Sequence, residues 1–215
     1  MIEAVIFDLD GVLLQSEEVW DAVRERYVVD HGGRYDDAVQ RAMMGMSAPE
    51  WSRFLHEEAG VRDDPEDINS EVVRRMLEAY RRRLPLLPGA VAAVHRAAAA
   101  FPLGLASSSN REIFDEVLRL AGLADCFRAT VSAEEVEHGK PAPDVYLEAA
   151  RRLGVAPERC TAVEDSHAGI RSAKAAGMRV VAIPNAAYPP DEETLGLADA
   201  VVRSLDELTV DVLHG

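Results

Sequence analysis

The sequence predicts an α/β fold: a parallel sheet with helices on both faces, plus an all-helical segment inserted after the first strand. The first sign is the run Ala4-Val5-Ile6-Phe7, apolar and β-branched or aromatic, which reads as a buried strand near the start of the chain. The second is the stretch from residue 16 to 85, rich in charge and helical in pattern, with no convincing strand. The third is a regular alternation of helical and strand patterns from residue 86 onward. The domains expected are therefore residues 1–15 with 86–215 as one core and 16–85 as a helical insertion.

In the insertion, SEEVWDAVRERYVVD (16–30), APEWSRFLHEEAG (48–60) and SEVVRRMLEAYRRRL (70–84) place apolar residues three and four apart. Ser16 before Glu17 and Glu18 reads as an N-cap with acids in the first turn. Beyond LPLLPG the order is helix 90–100, strand 102–107, helix 111–122, strand 127–132, helix 143–154, strand 160–165, helix 167–177 and strand 179–184. Asn110 is expected to open its helix and Gly122 to close it. A weaker strand (199–204) and helix (205–215) finish the chain. In such sheets, sites lie outside the carboxyl ends of the strands.

Composition narrows the function. With 48% hydrophobic and 28% charged residues in a chain of 215, a large core is expected rather than disorder. A formal net charge of −15 argues against nucleic acid and anionic membranes as partners. The longest apolar stretch is broken by His95, Arg96 and Pro102, which excludes a membrane span there. Cys126 and Cys160 lack metal-ligand spacing and read as structural thiols of a reducing compartment, so a cytoplasmic protein is expected. It is expected as a monomer or weak dimer.

The strand exits gather a distinctive set of side chains. The first strand ends in Asp8-Leu9-Asp10, and the second in Ser107-Ser108-Ser109-Asn110. The third leads to Lys140, and the fourth ends in Glu164-Asp165. Four crowded carboxylates, Asp8, Asp10, Glu164 and Asp165, call for a cation, and Mg²⁺ prefers oxygen ligands. A carboxylate at Asp8 is competent to attack phosphorus. Asp10, two residues on, is placed to protonate a leaving oxygen and then activate water. Ser107, nearby N–H groups and Lys140 suit phosphate oxygens. These groups together point to phosphoryl transfer.

The segments FDLDGVL, the serine after LGLA, GKPAPDVY and VEDSHAGI resemble, in order, the four motifs of the haloacid dehalogenase superfamily. They match its phosphatase and phosphomutase branch, which carries a helical cap after the first motif. The resemblance implies a Rossmann-like core, Mg²⁺ dependence and two-step transfer through phosphorylated Asp8. It makes Asp10 the acid/base and Ser107 and Lys140 the phosphoryl-binding groups. It also implies a metal on Asp8, the Asp10 backbone carbonyl, Glu164 and Asp165. The dehalogenases lack the second aspartate, and a halide leaves without needing a proton, so Asp10 argues against that activity. Mutases of the branch typically carry a histidine in the first cap helix and an arginine after the cap's G-x-S. Trp20 and Ala48 stand at those places here, which favours a phosphatase over a sugar phosphomutase. Gln15 replaces a usual aspartate.

The expected substrate is a small phosphorylated metabolite, such as a sugar phosphate or phosphoglycolate. A receiver-like signalling module is disfavoured by the long insertion and Asp10, and a non-enzymatic binder by the full set of chemical groups. Ser108, Ser109 and Asn110 are candidates for secondary phosphate contacts, Ser108 and Asn110 foremost, with one of the three capping the next helix. Ser166 is the expected cap of the helix after Asp165. His138 and His167 flank motifs and read first as surface groups. Arg74, Arg75, Arg81, Arg82 and Arg83 form a basic cluster, read first as a solvated face and second as a surface greeting an anionic substrate. Trp20, Met43, Met44, Met46 and Trp51 read as packing within the cap. Gly45-Met46-Ser47 is a candidate loop toward substrate.

Overall fold

The computed structural model describes residues 1–43, 46–185 and 189–215. Its core elements are β1 (Ala4–Phe7), α5 (Ala90–Ala98), β2 (Leu103–Ser107), α6 (Arg111–Ala121), β3 (Phe127–Ser132), α7 (Asp144–Leu153), β4 (Cys160–Glu164), α8 (His167–Ala175), β5 (Arg179–Ala182), α9 (Glu192–Leu195), β6 (Ala200–Val201) and α10 (Val210–His214). Between β1 and α5 come α1 (Glu17–Asp30), α2 (Asp37–Met43), α3 (Ala48–Glu57) and α4 (Pro65–Arg82).

Among the described residues six strands form one sheet in the order β3-β2-β1-β4-β5-β6, every neighbouring pair parallel. The chain winds one way from β1 through β2 to β3, then returns to the other side of β1 for β4. The reversal between β1 and β4 leaves a crevice at their carboxyl ends. Successive side chains of a strand point to opposite faces, so Val5 and Phe7 enter one core while Ala4 and Ile6 enter the other. The first core also takes in Trp20, Tyr27, Trp51, Met76 and Tyr80 of the helical insertion, so insertion and sheet share one continuous apolar mass. Each fully buried side chain of this size contributes roughly 1.5–3 kcal/mol.

Both ends of the insertion meet the core at one place. Leu14 bridges Leu86, the Gln15 N–H donates to Pro85 O at 2.8 Å, and the Leu87 N–H donates to Leu13 O at 2.9 Å. Further on, Arg81 of α4 pairs with Glu116 of α6 at 2.6 Å.

The structure departs from expectation at several element ends. Ser16 occupies the N-cap position of α1 but makes no capping hydrogen bond, and its buried Oγ has no partner. Asn110 likewise sits at the start of α6 without capping it; Glu134 does so from beyond β3, accepting the Arg111 N–H at 2.9 Å. Gly122 closes α6 at φ +67° and Ser166 caps α8 through the Gly169 N–H at 3.1 Å, both as expected. The last helix shrinks to Val210–His214 and the last strand to two residues. Helix α4 begins earlier than its apolar pattern, where Asp64 caps it and Pro65 opens it. Helices α2 and α9 are additions. Cys126 and Cys160 are free, and no helix among the described residues is long and apolar enough to cross a membrane.

Ion pairs hold several surface glutamates well below the usual carboxylate range. Hydrogen bonds from Arg151 and Arg152 bring Glu148 down from 4.5 to about 2, and Arg74 with Arg75 do the same to Glu71. A depressed folded-state pKa gives stability that is present above 4.5 and lost as pH falls toward 2. Thermal melts of Glu148→Gln should therefore show a lower midpoint than wild type at pH 7. The difference should close as pH falls from about 4.5 to about 2.

Candidate active site

The carboxyl ends of β1, β2 and β4 face one cleft of about 540 Å³, lined by Asp8, Asp10, Glu17, Ser108, Lys140 and Asp165, with His167 and Asn185 at its side. Its central feature is the Lys140 ammonium. Nζ lies 2.6 Å from Asp8 Oδ1 and 2.6 Å from Glu164 Oε1, and donates to Ala106 O at 3.1 Å. Only 4% of the lysine side chain is exposed. Burial by itself would lower the lysine pKa, but the carboxylates of Asp8 and Glu164 outweigh it and raise it above the ordinary value.

Glu164 is fully enclosed and satisfied on both oxygens. Oε1 also accepts the Tyr146 hydroxyl at 2.7 Å, while Oε2 accepts the Asp165 N–H at 3.0 Å and the Ser166 hydroxyl at 3.2 Å. Room for this carboxylate exists because α8 carries glycine at 169, where a Cβ would sit 1.8 Å from Glu164 Oε1. The glycine after Asp10 has a similar reason. Gly11 turns at φ +82°, and a Cβ there would lie 1.8 Å from Asp165 Oδ2. Strand one thus exits through a turn that lets a carboxylate of β4 approach its backbone.

Asp8, Glu164 and Asp165 offer oxygen atoms within 4.8 Å of one another. Burial above all pushes the Asp8 carboxyl up to about 8; Lys140 opposes this, and Glu164 and Asp10 add to it. Asp165 is raised well above the usual range by burial, then by Glu164 and Asp8. Three carboxylates facing one ammonium is a donor set short of positive charge. Hard oxygen donors with that deficit fit a divalent cation of the Mg²⁺ kind.

The Asp10 carboxylate lies outside that trio and is held from the β2 exit. Oδ2 accepts the Ser109 hydroxyl at 2.6 Å and lies 3.4 Å from Ser107 Oγ, while Oδ1 is buried without a partner. Ser107 itself is fully buried and accepts the Ser109 N–H at 3.0 Å. Ser108 lines the cleft. Asn110 donates instead to Asn69 of α4 at 3.1 Å and to Glu134 at 2.7 Å, tying the loop to the helical insertion.

His167 lines the cleft, with Nδ1 2.7 Å from Thr194 Oγ1, whereas His138 is exposed beside Asp144. Arg74, Arg75 and Arg81 pair with Glu71, Glu78, Asp30 and Glu116, so their cluster is a surface ion-pair face; Arg82 and Arg83 are exposed beside it. Trp20 and Trp51 pack with ring centroids 6.1 Å apart, as read, and Met43 is buried near them. Ser47 opens α3, its hydroxyl and N–H both donating to Glu50, with Ala48 buried behind it. Met44 and Gly45 lie outside the described residues.

Two side chains with roles here carry no signal as site groups in the sequence. Tyr146 fixes Glu164, as a buried phenol usually finds a polar partner, while Ser109, a candidate for phosphate contact, instead holds Asp10. Arg24 is the second. Glu17, Trp20 and Arg24 follow one another at three- and four-residue spacing, which places them on a single face of α1.

Gly169→Ala should force Glu164 from its notch, with Lys140 and Asp165 attached to it. We expect a loss of about 1–3 kcal/mol in urea unfolding, the usual cost of overpacking. A neutral result would mean that the carboxylate has another place to go.

Comparison with known proteins supplies the family. Residues 2–177 match the model of the haloacid dehalogenase-like hydrolases. Hexitol phosphatase B of Escherichia coli K12 is 34% identical over 100% of this chain and 97% of its own. The bifunctional riboflavin kinase/FMN phosphatase of Arabidopsis thaliana is 31% identical over 96% of this chain, which spans 54% of that relative's length. Among solved structures, a CbbY variant from Rhodobacter sphaeroides in complex with xylulose-1,5-bisphosphate superposes with a TM-score of 0.87, at 28% identity and covering 100% of both chains. The chain therefore belongs to the haloacid dehalogenase-like hydrolases and is an enzyme of that family.

Proposed function

We propose that this enzyme is a Mg²⁺-dependent phosphatase of a small hydroxylated phosphomonoester, working through a phosphorylated Asp8. The observation that carries the reading is the junction at Lys140, where one buried ammonium meets Asp8 and Glu164 at 2.6 Å each beside Asp165. A phosphate dianion entering this cleft finds a carboxylate nucleophile, a fixed cation and a second acid within one wall. Relatives named for hexitol phosphate and FMN hydrolysis agree with that class of substrate.

Each group has a distinct part in the reaction. Asp8 attacks phosphorus in line, forming an acyl phosphate as the ester P–O bond breaks. Asp10, oriented by Ser109, delivers a proton to the departing alkoxide and afterwards removes one from the water that hydrolyses the acyl phosphate. Lys140 exchanges its bond to Asp8 for one to a phosphoryl oxygen as Asp8 takes up the phosphoryl group, and the hydroxyl and backbone groups of residues 107–109 complete the cradle. Asp8, Asp165 and Glu164 would hold the Mg²⁺, with the Asp10 carbonyl beside them. When bound, the dication offsets repulsion between Asp8 and the phosphate. Residues 16–85 act as a cap over this cleft, bringing Glu17 to its wall and excluding water from the attack step.

Release of inorganic phosphate from p-nitrophenyl phosphate and from a panel of sugar phosphates tests the reading. Turnover should vanish with EDTA and return with Mg²⁺, and Asp8→Asn should be inactive while still folded. Asp10→Asn should lower kcat by roughly 10²–10⁴-fold. Activity retained by Asp8→Asn, or conversion of a sugar 1-phosphate to its 6-phosphate in place of phosphate release, would overturn it.

A further inference from the structure

A second cavity of about 70 Å³ opens beside the main cleft, walled by Asp10, Glu17 and Ser108 in common with it. Its remaining walls include Trp20, Arg24, Trp51 and Asn110. Since a water needs at least about 10–15 Å³ of such space, this cavity holds one compact substituent rather than a whole ligand.

Arg24 is the unusual member. Its guanidinium lies 4.5 Å from the Trp20 ring and 4.9 Å from the Trp51 ring, so two aromatic faces fix its plane. Nε is shut from solvent without a hydrogen-bond partner, and no ion pair of Arg24 is found among the described residues. Burial pulls its pKa below the ordinary arginine value, and the opposing pull of Tyr35, Glu17, Asp10 and Asp21 does not make up the loss. An arginine pre-oriented on two rings, with donors to spare, is suited to a planar or tetrahedral anion. Across the cavity, Asp10 Oδ1 and Asn110 Oδ1 are buried acceptors without partners. Asn110 is oriented by its own donors, since Glu134 takes the Nδ2 hydrogen.

We infer that Arg24 recognises a second anionic group, carboxylate or phosphate, at the far end of the substrate, while Asp10 and Asn110 meet hydroxyls between that group and the phosphate at Asp8. This rests on the phosphatase reading above for the placement of the first phosphate, and it narrows the substrate to hydroxylated phosphomonoesters with a distal anion. With a formal net charge of −15 the overall field repels an anionic ester, so a second anion on it would be drawn in only by a local cation such as Arg24.

Three six-carbon esters with different C1 groups separate the cases: glucose 6-phosphate (uncharged), 6-phosphogluconate (carboxylate) and glucose 1,6-bisphosphate (phosphate). Calorimetric binding to Asp8→Asn with Mg²⁺ avoids turnover. At least one distally charged ester should bind roughly ten- to a hundredfold more tightly than glucose 6-phosphate, the worth of a charge-assisted hydrogen bond. Which of them does so identifies the anion. Arg24→Met in the same background should abolish the preference, and Arg24→Lys should keep part of it. If the Met variant binds no ester because it is unfolded, the Lys variant decides: a preference undiminished by that change overturns the inference. So does equal affinity for all three esters in Asp8→Asn. Phosphate release by the wild type is scored separately. Release without a binding preference sinks this inference alone, and a preference without release sinks the phosphatase reading alone.

Discussion

The ammonium of Lys140 is almost wholly removed from water and tolerates this only because Asp8 and Glu164 both reach it. That junction joins three distant segments: the end of β1, the loop before α7 and the end of β4. Its demands spread outward. Glu164 needs Tyr146 and two backbone or hydroxyl donors, and it needs a glycine at 169 to make room. Asp165 needs Gly11 to let it close on the first turn. Removing any one partner would strand a charge in the interior, which is why the cluster specifies its own geometry so tightly.

In the proposed reaction the sheet and the helical insertion have different parts. Groups at the strand ends are generic to phosphoryl transfer and say nothing about which ester is chosen. The face of α1 carrying Glu17, Trp20 and Arg24 walls the cavity beside the main cleft, where the proposed ligand would extend its unreactive end. Binding energy from such remote contacts orients the reacting phosphate rather than merely retaining the molecule. The Asn110 amide, held at once by Asn69 of the cap and Glu134 of the core, keeps the two halves in register at the cavity wall.

Much of the sheet was legible because its strands are continuous apolar runs ending in polar clusters, the pattern of strands buried on both faces. The convergence of Asp8, Lys140, Glu164 and Asp165 was legible for the same reason, since parallel strands deliver their exits to one edge. What escaped has physical causes. Helix α2 buries only Val39 and Met43, too few for a periodic signal. The cap of α6 is Glu134, a residue remote in sequence, whereas Asn110 commits its amide to Asn69 and Glu134 and Ser16 leaves its buried hydroxyl without a partner. Arg24 was hidden among many arginines, and only packing between two tryptophans distinguishes it from the solvated ones.

The Leu14–Leu86 bridge has a wider meaning. Because the insertion leaves and rejoins the sheet at a single seam, whatever lies between those leucines is topologically a closed excursion. A change of length between them leaves the ends of the seam in place, and the entropy of closing a longer loop grows only slowly with its size. The insertion is thus fixed to the sheet like a head on a handle, tied at one seam and seated by the apolar side chains it shares with the body.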